Sequence, residues 1–170
     1  MPWIERRFAF DTPVSLFPPL LERLRGTPAR IEERVRDLPP EMLRRREADT
    51  WSIQENAGHL LEVERLWHGR LDDYEAGCQV LRAADMENRR TRDADYTRRA
   101  MEEILVAFRD SRMRLVARLE TLDAAAVERT ATHPRLNRPM RIVDLVLFAA
   151  EHDDHHLTRM TELVRAFARG

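Results

Sequence analysis

Apolar residues recur every three to four positions over long stretches of this chain, and no segment alternates apolar with polar residues as a half-buried strand would. From Ile53 to Glu75 the stripe holds Ile53, Ala57, Leu60, Leu61, Val63, Trp67 and Leu71. From about Asp95 to Glu120 it holds Met101, Ile104, Leu105, Phe108, Leu115 and Leu119, and from about Arg141 to Ala168 it holds Ile142, Leu145, Val146, Ala149, Met160, Leu163 and Val164. Each pattern predicts an amphipathic helix with one buried face. Ser52-Ile-Gln-Glu55 reads as a capping box at the start of the Ile53 helix, and Gly77 marks its end.

The first helix is interrupted on paper. Pro13, Pro18 and Pro19 confine an early piece to about Leu16–Leu24, and Thr27-Pro28 reads as a fresh start running from Ala29 to about Leu38, where Pro39 and Pro40 stop it. Met1 to Thr12 is expected to be irregular, Asp123–Arg129 to form a short helical turn, and His133–Pro139 to be loop. The fold class is therefore all-α, with four helical segments suited to a four-helix bundle. The second and third helices are joined by a connection of about eighteen residues, long enough to cross back over a helix of about 35 Å and leave the two parallel.

Composition narrows the function. A chain of 170 residues makes one domain, 1–170, with its core over about 14–168. With 29 basic against 30 acidic residues the net charge is -1, which gives no pull toward nucleic acid or an anionic membrane. Every basic residue is Arg, so lysine Schiff-base chemistry and a phosphate-loop lysine are excluded. Cys78 is the only cysteine, which excludes an intrachain disulfide and a Cys-rich metal site and suits a reducing compartment. MPWIERRFAF lacks a signal-peptide apolar run, and the longest apolar stretch, Leu145–Ala150, is too short for a membrane span, so a cytoplasmic location is expected.

Candidate chemistry lies in the histidines. His152 and His156 are one helical turn apart, about 40° around the axis, where two imidazoles can share an ion. Both fall within the apolar stripe of their helix, as does Asp153. A pair of hydrogen-bonded core histidines is the alternative, because buried polar groups need partners in any case. His59 shifts the balance: on the shoulder of its own helix's apolar face, it supplies a third inward imidazole and completes a facial triad with open positions. His68, nine residues and about 13.5 Å further along, cannot reach the same ion and is assigned to packing or surface.

His155 and Asp153 are the candidates for a catalytic role. For His155 the alternative is a half-exposed hydrogen-bonded residue; for Asp153 it is an ion pair with an arginine. Glu64 is central on its helix's apolar face and suits a buried ion pair or, alternatively, a general base. His133 is expected to shape its loop, and Arg89, Arg90 and Arg92 to be solvated.

Two segments carry a family resemblance. Thr50-Trp-Ser-Ile-Gln-Glu-Asn-Ala-Gly-His59-Leu resembles the W-S-x-x-E-x-x-x-H-L signature of the DinB/YfiT-like superfamily, and Ala150-Glu-His152-Asp-Asp-His-His156-Leu resembles its E-H-x-x-x-H signature. The resemblance implies an up-down-down-up bundle, often a homodimer, whose metal ligands are His59, His152 and His156 and whose ion is divalent, zinc or nickel first. It also implies a metal-dependent enzyme acting on a small-molecule substrate, either transferring a low-molecular-weight thiol cosubstrate to a small electrophile or hydrolysing it. The alternative is a non-catalytic bundle with a structural or vestigial metal. Cys78 lies toward the far end of its helix from His59, so the thiol would come from outside the chain. No nucleic-acid or membrane partner is expected.

Overall fold

Helix α1 spans Phe17–Val35 without interruption, so the break expected at Thr27-Pro28 does not occur. A proline inside a helix removes one amide donor and orphans the carbonyl four residues earlier. Here that carbonyl, on Leu24, accepts a 3.3 Å bond from the guanidinium of Arg112, a side chain on another helix. The core thus supplies the bond that the ring removes. Pro18 and Pro19 stand in the first turn, where amides have no intrahelical acceptor. The computed structural model describes residues 3–168; Met1 and Pro2 of the expected irregular segment, with Arg169 and Gly170 at the other end, lie outside the described residues.

A short α2 (Pro40–Arg44) leads into α3 (Ile53–Glu75). The capping box forms as expected: Ser52 Oγ accepts from the Glu55 amide at 3.1 Å, and Glu55 Oε2 accepts from the Ser52 amide at 2.9 Å. The arginine-rich connection is more ordered than its composition suggests. It contains α4 (Arg89–Asp93) and a turn of 3-10 helix at Tyr96–Arg98, so the third long helix, α5 (Met101–Glu120), starts later than expected. Asp95, with φ 41°, and the extended Ala100 separate these pieces.

After α6 (Ala124–Val127) the expected loop is instead a hairpin, β1 (Thr130–His133) paired antiparallel with β2 (Arg138–Arg141). Strands this short carry too few positions to show an alternation, which is why the apolar pattern missed them. Asn137, with φ 49°, takes the left-handed conformation the turn requires. Helix α7 (Ile142–Phe167) completes the chain.

Helix α1 packs on α5 and α7, and α3 packs on the same two. Contacts along α3 and the segment that leads into and forms α5 rise together, Gln54 with Arg99, Glu64 with Arg112 and Asp72 with Arg118. Those along α1 and α7 do the same, Arg23 with Glu151, Thr27 with Asp153 and Arg34 with Thr161. Between α3 and the β2–α7 segment the order reverses: Asn56 meets His156, while the Tyr74 hydroxyl donates to the Met140 carbonyl at 2.7 Å. Two apolar clusters fill the interior, one around Leu24, Leu71, Leu115 and Val146 and the other around Ile31, Leu60, Phe108 and Met160. At the level between them sit Thr27, Glu64, Arg112 and Asp153, one from each long helix and all buried. No helix among the described residues is long and apolar enough to cross a membrane.

Candidate metal centre

The seam between α3 and α7 brings His59, His152 and His156 together: all three are buried, and one ring nitrogen of each lies within 4.8 Å of the others. His59 Nε2 and His152 Nε2 are 3.4 Å apart. The outer nitrogens of two rings are held by neighbours, and those neighbours decide which nitrogen is free. Asn56 donates its amide N–H to the Ser52 carbonyl at 2.8 Å, which turns its Oδ1 toward His156 Nδ1, 2.8 Å away. Oδ1 can only accept, so His156 carries its proton on Nδ1 and presents a bare Nε2. His59 Nδ1 is 3.0 Å from Thr91 Oγ1, leaving Nε2 to face His152.

Thr91 is placed by the way the α4 connection lies on α3. The Tyr96 ring rests directly on Gly58, where an added Cβ would come within 2.2 Å of it. Its hydroxyl donates to Glu62 Oε1 at 2.6 Å, and Gln54 donates to the carbonyls of Tyr96 and Arg99. Residue 58 thus needs to be glycine because another segment crosses there.

Burial pushes His59 down to about 4. Burial, then the neighbouring imidazoles, hold His152 and His156 well below the usual histidine range. Three neutral imidazoles with ring nitrogens converging on one point are a donor set for a borderline divalent ion such as zinc or nickel. His152 Nδ1 is buried without a partner among the described residues. Aromatic rings wall the cluster: Trp51 stands 4.7 Å from His59, Trp3 5.0 Å from His152 and Trp67 5.8 Å from His152, between ring centres. The cluster opens into a cavity of about 950 Å³. Among the described residues no further His, Cys, Asp or Glu joins it.

His155 lines the same cavity, half-buried, its ring 5.2 Å from that of His156. Burial, with Arg6 nearby, lowers its pKa. Asp153 turns instead to the centre of the bundle, where it pairs with Arg112 and accepts from the Thr27 hydroxyl at 2.7 Å. Glu64 forms the other half of that ion pair, its Oε1 3.0 and 2.6 Å from Arg112. His68 lies apart, with Nε2 3.1 Å from the Ser111 carbonyl. His133 accepts the Leu136 amide at 3.2 Å and so shapes its turn, while also lining the cavity. Cys78 is exposed beyond the end of α3.

Sequence reasoning did not single out Asn56, Thr91 or the tryptophan walls. Asn56 was within reach of it, since it precedes His59 by three residues and shares its helix face. Thr91 carries no periodic signal in its own segment.

A family model of the DinB superfamily matches residues 23–160. No curated protein sequence matches the chain. Among solved structures, YfiT from Bacillus subtilis, described as a probable metal-dependent hydrolase with an unusual four-helix bundle topology, superimposes with a TM-score of 0.85. The two share 18% identity over 96% of this chain and 94% of that one, so the likeness concerns the fold.

Proposed function

This chain belongs to the DinB superfamily, and from that premise we propose that it is a metal-dependent enzyme whose His59, His152 and His156 hold one divalent ion, zinc or nickel, at the base of a small-molecule cavity. The observation that carries this reading is openness. Three neutral imidazoles face a cavity of about 950 Å³, and no fourth protein ligand closes the cluster among the described residues. Structural metal sites complete their coordination with side chains, whereas catalytic ones leave a position for water or substrate. When bound, such an ion lowers the pKa of a water or thiol and polarises an electrophile.

The chain's own residues do the rest. Asn56 holds the Nδ1 proton of His156, so its Nε2 stays a lone-pair donor, and Thr91, bonded to His59 Nδ1, keeps that ring's Nε2 turned toward the cluster. Trp3, Trp51 and Trp67 keep bulk water from the sides of the cluster. The reaction is transfer of a low-molecular-weight thiol to a small electrophile, supported by a cavity at the upper end of single-ligand volumes. The thiol is a cosubstrate, since Cys78 is exposed at the far end of α3. Hydrolysis is the second reading, favoured by the description of YfiT. His155, on the cavity wall, suits a proton-transfer role in either. The partner is a small molecule in the cytoplasm, not nucleic acid, and the bundle runs up-down-down-up, in keeping with the rising α3–α5 and α1–α7 pairs.

Metal-reconstituted wild type and His156→Ala are to be assayed with a panel of electrophiles, with and without added thiols. Thiol-dependent consumption in wild type alone supports transfer, and thiol-independent consumption supports hydrolysis. Loss of neither activity in His156→Ala would sink both.

A further inference from the structure

Arg70 is a buried cation that forms no ion pair among the described residues. Its side chain is 1% exposed, Nη1 has no partner among the described residues, and its one bond is a 3.3 Å contact from Nε to the Arg82 carbonyl. Asp73 is taken by Arg82, at 2.7 Å from Nη2 and 3.0 Å from Nε. Arg112, equally buried, meets two carboxylates; Arg70 meets none among the described residues. A charge buried without a partner is costly and marks a place where something else brings the opposite sign.

The place is the cavity that holds the histidines. Arg70 lines it together with His133 and Arg135 of the hairpin, at a height on α3 about 16 Å from His59. Trp67 spans the two ends, its ring 5.8 Å from the Arg70 guanidinium on one side and 5.8 Å from His152 on the other. Arg135 is exposed and binds no carboxylate among the described residues; it donates a 3.3 Å bond to the Ile4 carbonyl.

We propose that Arg70, with Arg135 at the rim, binds an anionic group, carboxylate or phosphate, of an elongated small molecule whose other end reaches the three histidines. The anion site stands on the geometry of Arg70 alone; that its occupant is the enzyme's substrate rests on the function proposed above. Burial lowers the Arg70 pKa to about 10, which leaves the guanidinium charged at neutral pH. His133 is pushed down to about 4 by burial and the two arginines, so beside the anion it is a neutral hydrogen-bonding group.

Calorimetric titration of metal-free protein tests this, with glutarate and inorganic phosphate as probes and glutaramide as the neutral control. Wild type is expected to bind at least one anion and not glutaramide, and the tighter anion identifies the group. Arg70→Met should weaken that binding by about tenfold or more, the effect of losing a charge-assisted bond. Arg135→Gln, a surface change that leaves folding intact, should weaken it severalfold, and Arg70→Lys should fall between wild type and Arg70→Met. Wild type that binds neither anion at millimolar concentration, or unchanged affinity in Arg70→Met, overturns the proposal. If Arg70→Met does not fold, unchanged affinity in both Arg70→Lys and Arg135→Gln overturns it. Metal content measured on the protein as purified, before the metal is stripped for titration, separates the two claims: anion binding by a chain that holds no metal removes the enzyme and keeps the site, and metal without anion binding does the reverse.

Discussion

Two buried polar clusters share helices α3 and α7, yet they are finished differently. In the centre, Arg112 reaches Glu64, Asp153 and the Leu24 carbonyl, and Thr27 bonds Asp153. Its polarity is consumed inside the bundle, with Glu64 Oε2 the one side-chain oxygen left over. At the α3–α7 seam only the outer nitrogens of His59 and His156 are held, and the inner ones converge on an open cavity. A polar group satisfied internally serves the fold, and one oriented but left unsatisfied is available to a ligand.

The sharpest way to break this contrast is to remove one member of each cluster. Arg112→Met leaves two buried carboxylates facing each other and orphans the Leu24 carbonyl, and should cost about 3–5 kcal/mol of stability in urea unfolding. His59→Ala in metal-free protein should cost less, about 1–2 kcal/mol, because it gives up only the Thr91 contact and the 3.4 Å approach to His152 and leaves no buried charge unpaired. Equal losses in the two variants would erase the distinction.

Next in size is Asn56→Ala, which frees the tautomer of His156 without touching a ligand. Metal affinity, followed by competition with a chelator, should fall about 10–100-fold while the helix content is unchanged. An unchanged affinity would mean that the outer nitrogen's partner does not matter.

The smallest effect concerns the end of α3 that presents Asn56 and His59. Burial raises the Glu55 pKa, but Arg46 and the Ser52 amide and hydroxyl outweigh it, so the folded value lies below the unfolded one. The resulting stabilisation is present above the unfolded carboxylate pKa and is lost as pH falls through the lower folded value. Glu55→Gln should therefore cost up to about 1 kcal/mol near pH 7, reduced by solvent around the half-exposed Arg46, and progressively less as pH falls below the ordinary carboxylate range. A cost that does not vary with pH would assign the effect to packing.

The features legible in the sequence are those set by neighbours along the chain. The capping box and the 3.6-residue period located α3, and the same period aligned His152 with His156 and turned them, with His59, inward. What stayed hidden depends on residues far apart. Pro28 sits within a continuous helix because its orphaned carbonyl is met by Arg112, 88 positions away. Thr91 reaches His59 only because Tyr96 lies on Gly58. Arg70 is one of many arginines in the chain, and nothing local distinguishes a buried guanidinium without a counter-ion from a solvated one. The hairpin was too short to leave a pattern.

The central claim is a shared metal ion on His59, His152 and His156, and the most direct test is metal content by mass spectrometry on untagged wild type beside His59→Ala and His156→Ala, each melted with and without chelator. Wild type is expected to hold close to one zinc or nickel ion per chain and either variant none, with a chelator-dependent fall in Tm confined to wild type. Wild type that is metal-free and takes up neither added zinc nor added nickel would contradict it.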